Sequence, residues 1–212
     1  MVFKKKDNKN RGLFITFEGA DGCGKTTQIN LVKKYLDEKN INSILTFEPG
    51  DCEIGIELRK ILLHHKSYIS DMAELLMYLA DRSQHIETVI LKNINKGINV
   101  LCDRYTDSTV AYQGYARGFD IETINKLNEI VTKGTKPDIT FLFDVDSTTA
   151  LNRVGKNKDR MEKEGLIFHK KVKDGYLELT KKNPERIKVI DANNSIEEVF
   201  CEVKEVLDKY YE

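Results

Sequence analysis

A glycine-rich segment near the N-terminus joins an apolar run to the start of a predicted helix. Gly19-Ala-Asp-Gly-Cys-Gly-Lys-Thr26 fits the pattern G-x-x-x-x-G-K-[ST] and directly follows the apolar run of residues 13–17. A strand that passes through such a turn into a helix is the context in which this motif cradles phosphate groups. Main-chain amides and the helix N-terminus supply partial positive charge, and Lys25 adds a full one. A turn that binds nothing is the alternative, but the complete motif favours a nucleoside triphosphate site.

Apolar runs and amphipathic stretches alternate along the chain. Strands are predicted over residues 13–18, 43–48, 98–103, 138–145 and 187–191. Helices are predicted over residues 25–39, 72–90, 121–131 and 196–210, the last with Ser195 and Glu198 at the spacing of a capping box. The alternation predicts an α/β protein with the P-loop NTPase fold, a five-stranded parallel sheet flanked by helices. In such a fold, ligands bind at the carboxyl ends of the strands.

The composition limits the class of protein and its partners. Lys plus Arg and Asp plus Glu each number 34, and the resulting net charge of zero argues against nucleic acid as a partner. No apolar stretch approaches the roughly 20 residues that span a bilayer, and the N-terminus lacks the apolar core of a signal peptide. The four cysteines form no C-x-x-C pair, as is typical of reduced thiols. We therefore expect a cytoplasmic protein with no membrane partner, and one domain over residues 13–212 behind a flexible tail, residues 1–12.

Polar side chains follow the predicted strand 98–103. Asp103 ends this strand, where phosphate-loop proteins place an acid that organises Mg²⁺, usually through water. Arg104 follows at once, and a plain surface ion pair is the alternative interpretation. If residues 105–118 are helical, four hydroxyl and amide side chains form neighbouring pairs one turn apart. Such a row favours contact with a polar ligand, and its members are Ser108, Thr109, Tyr112 and Gln113.

Arg82 lies beside the apolar stripe of the predicted helix over residues 72–90, one turn after Tyr78. A charge at such a position has to be paired or has to face a ligand. An internal ion pair with Glu74, or with a group near Asp81, is the alternative to a ligand contact. The residue pattern leaves both interpretations open.

Together these segments resemble thymidylate kinase, from about residue 13 to the C-terminus. The matching segments are the phosphate loop with its flanks, Glu48-Pro49-Gly50, residues 80–85, residues 103–118 and Asp159-Arg160-Met161-Glu162. The segment that follows Asp103-Arg104-Tyr105 is the most specific of them. Thymidylate kinases transfer the γ-phosphoryl group of ATP to dTMP with the help of Mg²⁺. The resemblance implies this activity, and it also implies a homodimer.

The resemblance assigns roles on the ATP side of the site. The residues implied for ATP binding are Gly19, Ala20, Asp21, Gly22, Cys23, Gly24, Lys25, Thr26, Thr27, Arg153 and Asn193. Mg²⁺ would be held by the Thr26 hydroxyl and, through water, by Asp103. The residues implied for catalysis are Lys25, Asp103, Arg104, Arg153, Lys156 and Arg160.

The resemblance also implies an acceptor site. Arg104 and Arg59 look like clamps on the phosphate of dTMP, while Tyr78 would stack on the thymine ring. Tyr112 would crowd the 2′ position of the sugar and so favour deoxyribose. The full set for dTMP is Asp21, Glu48, Arg59, Tyr78, Arg82, Arg104, Ser108, Thr109, Tyr112 and Gln113.

The chain departs from the family pattern at three places. Phe47 stands where many relatives have arginine, and Gly50-Asp51-Cys52 stands where they often have two glycines and a threonine. Gly22 stands where some members have an arginine that reaches the transferring phosphoryl group. We therefore expect the basic segment, a lid over about residues 153–165, to supply that charge through Arg153 with Lys156 or Arg160. A solvated loop is the alternative for this segment.

Three other functions remain open to comparison. Another nucleoside monophosphate or deoxynucleoside kinase would share the fold and differ in the acceptor pocket. A GTPase switch needs Asn-Lys-x-Asp, and Asn157-Lys158-Asp159 lacks the spacer. An inactive nucleotide-binding module conflicts with the presence of Lys25, Asp103 and Arg104. A metal site at His64, His65 or His85 lacks a third ligand, so we expect these histidines on helix surfaces.

Overall fold

A five-stranded parallel sheet lies at the centre of the molecule, in a computed structural model that describes residues 11–153 and 159–211. The strands are β1 (Phe14–Glu18), β2 (Ser43–Phe47), β3 (Asn99–Asp103), β4 (Ile139–Asp144) and β5 (Ile187–Asp191). Their order in the sheet is β2-β3-β1-β4-β5, and all neighbours are parallel. Each predicted strand ends within one residue of the observed one. The α/β class and the five-stranded parallel sheet are confirmed.

The central strand, β1, ends beside the end of β3. Phe17 aligns with Asp103 on β3 and with Phe141 on β4. All five residues of β1 are buried, as expected for a strand covered on both faces. Because neighbouring parallel strands end at the same edge, the loop after β1 and the carboxylate of Asp103 lie side by side.

Helices cover the sheet, and they are numbered here in chain order. They are α1 (Lys25–Glu38), α2 (Glu53–His64), α3 (Asp71–His85), α4 (Leu91–Ile94), α5 (Thr106–Thr109), α6 (Ile121–Val131), α7 (Ser147–Arg153), α8 (Leu166–Lys182) and α9 (Ile196–Tyr211). Two π-helical segments, Ile86–Ile90 and Val110–Ala116, continue α3 and α5. The helix predicted over residues 72–90 is therefore α3 together with the first π-helical segment. The predictions from the sequence contain neither α2 nor α8.

The side chains of β1 alternate between two cores. Ile15 and Phe17 pack in one core with α1 and α9. Phe14 points to the opposite face, where it packs with Ile86 and Ile90. This alternation places helices on both faces of the sheet, which is the doubly wound arrangement.

The start of α9 has the predicted capping box. The Ser195 amide donates to Oε2 of Glu198 at 3.0 Å, and the Glu198 amide donates to Oγ of Ser195 at 3.3 Å. Each side chain satisfies an amide that the helix itself leaves without a partner. The helix then buries Val199, Val203 and Leu207 against the sheet.

Candidate active site

The loop between β1 and α1 has a backbone that glycine adopts more readily than other residues. Gly19 and Gly24 have φ angles of +140° and +93°. A Cβ on Gly19 would lie 2.7 Å from the carbonyl oxygen of Phe143. Lys25 begins α1, and its Nζ donates to the carbonyl oxygens of Gly19 and Ala20 at 3.1 and 3.2 Å. The loop's own carbonyl groups thus hold the buried ammonium group against the loop.

A cleft of about 830 Å³ lies next to this loop. Its lining includes Asp21, Gly22, Gly24, Lys25, Thr26, Thr27, Asp103, Arg104, Arg153, Asp159 and Glu162. These residues come from the β1–α1 loop with the first turn of α1, the end of β3, the end of α7 and the segment before α8. Four separate parts of the chain therefore meet around the phosphate loop.

Two oxygen donors in this cleft suit a magnesium ion. Asp103 Oδ1 is buried and has no hydrogen-bond partner among the described residues. Thr26, at the start of α1, is exposed in the same cleft. Carboxylate and hydroxyl oxygens are the hard ligands that Mg²⁺ prefers, alone or through water. The residues present fit the ion that the resemblance implies.

A second cavity, of about 100 Å³, adjoins the cleft. Its lining contains every residue predicted to bind dTMP, namely Asp21, Glu48, Arg59, Tyr78, Arg82, Arg104, Ser108, Thr109, Tyr112 and Gln113. Five residues line both the cavity and the cleft, namely Asp21, Glu48, Arg59, Arg104 and Asp159. The two spaces therefore meet at these five side chains.

Arg104 lies at this junction in an unusual backbone conformation. Its φ of +70° is left-handed, which costs energy in a residue other than glycine. Its Nη2 donates to Oδ1 of Asp21 at 2.5 Å, and its guanidinium lies 5.2 Å from the centre of the Tyr112 ring. Burial would raise the pKa of Asp21, but the charges of Arg104 and Lys25 outweigh it and lower the pKa to about 2. Asp21 is thus a carboxylate that aims Arg104 at the junction.

Arg82 forms the floor of the cavity and is only 2% exposed. Its Nε donates to Oε2 of Glu48 at 2.7 Å, and its Nη1 donates to Thr109 at 2.6 Å and to Asn128 at 3.0 Å. Its Nη2 donates to the carbonyl oxygen of Tyr105 at 2.9 Å. Arg82 does form an internal ion pair, as the alternative interpretation expected, but its partner is Glu48 rather than Glu74 or a group near Asp81. Glu48 directly follows β2, and the fold places it against α3.

Glu48 is shared between Arg82 and a buried histidine. Its Oε1 lies 2.9 Å from Nδ1 of His85, whose Nε2 lies 2.6 Å from the hydroxyl of Thr46. Burial would raise the pKa of Glu48, but Arg82 and His85 together lower it. The prediction of a surface position for His85 is wrong, since this side chain is fully buried on the inner face of α3.

Comparison with known proteins identifies the family. The family model described as thymidylate kinase matches residues 17–203. The chain belongs to the thymidylate kinase family. A thymidylate kinase from Carboxydothermus hydrogenoformans is 45% identical over 200 residues, which cover 93% of this chain and 98% of that protein. One from Clostridium novyi is 43% identical over 200 residues, which cover 92% and 98%.

A solved structure agrees with this assignment. The crystal structure of thymidylate kinase from Ehrlichia chaffeensis matches with a TM-score of 0.78 and 38% sequence identity. The match covers 93% of this chain and 99% of that one. The resemblance stated from the motifs, together with the fold it implied, is confirmed. The role of each site residue stays a prediction.

The polar row after β3 is satisfied by protein groups. Thr109 accepts from Arg82, as described above, and Gln113 Nε2 donates to Oε1 of Glu74 at 2.9 Å. Tyr112 donates to Oδ2 of Asp21 at 3.3 Å. These three side chains line the cavity, and α3 and the phosphate loop supply them with protein partners. Their contact with a polar ligand stays a prediction.

Two of the three departures from the family pattern have local structural accounts. The Phe47 ring lies under the Arg59 guanidinium at 5.2 Å, and Arg59 Nη1 donates to the Pro49 carbonyl oxygen at 2.5 Å. Cys52 caps α2, because its Sγ accepts from the Gly55 amide at 3.3 Å. Phe47 thus provides a platform for one of the two predicted phosphate clamps.

The two described lid arginines occupy different places. Arg153 lines the cleft, and its Nη1 donates to the carbonyl oxygen of Ala192 at 3.3 Å, beside Asn193. Arg160 lies on the other side, where Nε donates to the Leu62 carbonyl oxygen at 2.8 Å and Nη2 lies 2.5 Å from Glu74. Lys156 is outside the described residues. Arg153 thus contacts the residue before Asn193, whereas Arg160 is bound to α2 and α3.

Two acidic residues of the cleft have no role in the sequence predictions. Asp159 and Glu162 belong to the Asp-Arg-Met-Glu segment, and each accepts a hydrogen bond at 2.8 Å from the other's amide. Both line the cleft next to Arg153. This segment is one of those that match the thymidylate kinase pattern, and that match is the sequence signal that could have pointed to both residues.

The cysteines and two of the histidines have the states expected from the sequence. All four cysteines are free thiols. His64 and His65 are exposed, as expected. Within residues 11–153 and 159–211, no group of three or more His, Cys, Asp or Glu side chains is arranged to hold a metal by itself. In the same residues, every helix is too short or too polar to cross a bilayer.

Proposed function

We propose that this chain transfers the γ-phosphoryl group of ATP to dTMP, giving ADP and dTDP. The observation that carries the proposal is the junction of the two spaces. The cavity lined by all residues predicted for dTMP meets the phosphate-loop cleft at five shared residues, which include Asp21, Arg59 and Arg104. An acceptor phosphate at this junction would face the phosphates held by the loop, which suits direct transfer between two bound nucleotides.

The chain's own residues supply position and charge. Lys25 lies against the phosphate loop, so its ammonium group can neutralise charge that develops on the transferring group. Arg104 and Arg59 bind the acceptor phosphate from the side of the cavity. Asp21 remains ionised and orients Arg104. Phosphoryl transfer depends mainly on such positioning and charge stabilisation.

Mg²⁺ and ATP complete the proposed reaction. When bound, Mg²⁺ neutralises the phosphate charge of the nucleotide. Thr26 would hold the ion through its hydroxyl, and Asp103 would hold it through water. Arg153 and the loop at Asn193 would bind the adenine end of ATP.

The proposal includes a homodimer in the cytoplasm, with nucleotides and no nucleic acid as ligands. Exposed apolar side chains on two adjacent helices support self-association. Ile54 and Ile61 lie one heptad apart on α2, while Met72 and Leu76 lie one turn apart on α3. Apolar side chains grouped in this way on a surface favour a protein contact.

A phosphate-transfer assay with a panel of acceptors tests the proposal. ADP release is measured with ATP and dTMP, dUMP, dCMP, AMP or thymidine, for the wild type and for Lys25→Ala. We expect dTMP to be the best acceptor and Lys25→Ala to abolish transfer without unfolding the protein. Lys34→Ala is the matched control, since Lys34 is an exposed lysine on the same helix. If another acceptor is phosphorylated faster than dTMP, that acceptor is the substrate and the proposal is wrong. Normal turnover by Lys25→Ala would refute the phosphate-loop assignment.

A further inference from the structure

Three polar side chains from distant parts of the chain meet beneath the acceptor cavity. Glu18 is the last residue of β1, Ser108 lies on α5 and Tyr176 lies on α8. Glu18 Oε2 lies 2.6 Å from Ser108 Oγ and 2.8 Å from the Tyr176 hydroxyl. The two hydroxyl oxygens lie 2.8 Å from each other. We call Glu18, Ser108 and Tyr176 the buried triangle.

The buried triangle contacts Arg104 through both its backbone and its side chain. Glu18 Oε1 accepts from the amide of Tyr105 at 2.7 Å, directly after the left-handed Arg104. Arg104 Nη1 donates to Ser108 at 3.2 Å and to Tyr176 at 3.4 Å. A strained backbone persists only where its surroundings fix it. The triangle thus fixes the turn at Arg104 and the direction of its guanidinium.

Glu18 and Tyr176 reach the cavity only through other residues. Neither lines the acceptor cavity or the cleft, whereas Arg104 lines both. Glu18 is fully buried and Tyr176 is 3% exposed. Any effect of these two side chains on a bound nucleotide therefore passes through other side chains, chiefly Arg104 and Ser108, and for Tyr176 also through the ring of Tyr112.

The hydrogen-bond count of the triangle favours a proton on Glu18. Its three short contacts join three oxygen groups, so three protons are required. Ser108 and Tyr176 supply one proton each. An ionised Glu18 would leave one pair of oxygens facing each other without a proton, which is costly in a buried site. A neutral carboxylic acid closes the ring.

We propose that Glu18 and Tyr176 are positioning residues that hold Arg104 for the phosphate of the acceptor, with Glu18 acting as a neutral carboxylic acid. The inference rests on the proposed function, in which Arg104 binds the dTMP phosphate. The electrostatic environment supports it. Burial and the charge of Asp107 raise the pKa of Glu18 to about 7, against the opposing effects of Ser108, Arg104 and Tyr176. The other charged groups that interact with Glu18 are Arg82 and Arg186.

Binding of dTMP and of thymidine separates positioning from simple structural support. Thymidine lacks the phosphate that Arg104 would bind, so a misplaced Arg104 should affect dTMP alone. Calorimetry gives the Kd of each ligand for the wild type, Glu18→Ala, Glu18→Gln and Tyr176→Phe. We expect Glu18→Ala and Tyr176→Phe to weaken dTMP roughly tenfold or more, because small misplacements of a binding group have large effects. Thymidine should change by less than about twofold, since its contacts are untouched.

Glu18→Gln tests the neutral form. A glutamine amide can accept from the Tyr105 amide and donate to both Ser108 and Tyr176, so the ring stays closed. We expect this variant to restore the ratio of dTMP to thymidine affinity that Glu18→Ala loses. Tyr176→Phe keeps the ring that packs against Tyr112, so it reports on the hydroxyl even if Glu18→Ala fails to fold.

Tyr35→Phe is the matched control for a lost tyrosine hydrogen bond. Tyr35 donates to Asp208 far from the cavity, so the variant should leave both affinities unchanged. Equal weakening of dTMP and thymidine would overturn the proposal in favour of a structural role. A Glu18→Gln protein as impaired as Glu18→Ala would show that the charge is needed. If the wild type neither binds nor phosphorylates dTMP, the proposed function itself fails, and this inference fails with it.

Discussion

Buried charged residues around the acceptor cavity are each compensated in a specific way. Glu18 and Arg82 illustrate the two ways in which a buried charge is accommodated. Glu18 avoids the cost of burial by taking up a proton, whereas Arg82 is compensated by Glu48 and three further acceptors. A neutral side chain should therefore be tolerated in place of Glu18, whereas the loss of the Arg82 charge should destabilise the protein.

Glu18 should make the stability of the protein depend on pH. Its pKa is about 7 in the folded protein and 4.5 ordinarily, so the folded state binds the proton more tightly. Its contribution is fully present below about pH 4.5 and is lost as the pH rises to about 7. The free energy of unfolding of Glu18→Gln relative to wild type should therefore rise between pH 5 and pH 7 and then level off. Urea unfolding at these pH values measures both free energies. A difference between the two proteins that stays constant with pH would contradict a raised pKa of Glu18.

Arg82 should be costly to remove for stability as well as for dTMP binding. Arg82→Ala leaves Glu48 buried without its main partner, which typically costs about 3–5 kcal/mol. Calorimetry on the folded fraction should show that Arg82→Ala weakens the binding of dTMP more than the binding of ATP. Arg11→Ala is the control, since Arg11 forms a partly exposed pair with Asp138 outside the cavity and should leave dTMP binding unchanged. Equal losses for both nucleotides would make Arg82 purely structural.

Among the secondary-structure elements, α7 and α8 divide the lid arginines between two tasks. Arg153 ends α7 and lines the cleft, while Arg160 precedes α8 and is anchored to Leu62 and Glu74. Glu74 also binds Gln113 and Arg117, so the anchor reaches the cavity wall. Arg153 is therefore the better placed of the two to supply charge to the phosphates.

The lid arginines should differ in their effect on turnover. A cationic side chain at the transferring phosphoryl group is worth about 10³–10⁵ in related reactions. We expect Arg153→Ala to lower kcat by roughly a hundredfold or more and Arg160→Ala by less than about tenfold. Steady-state kinetics with saturating dTMP and ATP decides between them. A larger loss in Arg160→Ala would mean that Arg160 leaves Glu74 during catalysis.

At the scale of the whole molecule, the apolar faces of α2 and α3 predict a dimer. Leu76→Glu places a charge in that face and should shift the protein to monomers, because a buried unpaired charge opposes association. Analytical ultracentrifugation measures the mass in solution. Val189→Glu is the control, since Val189 is exposed on β5 at the other edge of the sheet. A wild-type monomer would refute the homodimer.

The sequence by itself determined the strands, the phosphate loop and the cap of α9, because each depends on residues close together in the chain. Apolar runs specify buried strands, and glycines specify the turn that approaches Phe143. The motifs also indicated ten residues that line one cavity, although not which of them contact each other.

The tertiary structure alone decided which of these residues bind each other. Glu48 lies 34 positions from Arg82, and Glu18 lies 90 positions from Ser108. No local pattern pairs such residues, since their meeting depends on the order of the strands and the packing of α3, α5 and α8. The buried position of His85 and the proton on Glu18 have the same origin. A side chain's burial and charge state are set by what the whole fold brings around it.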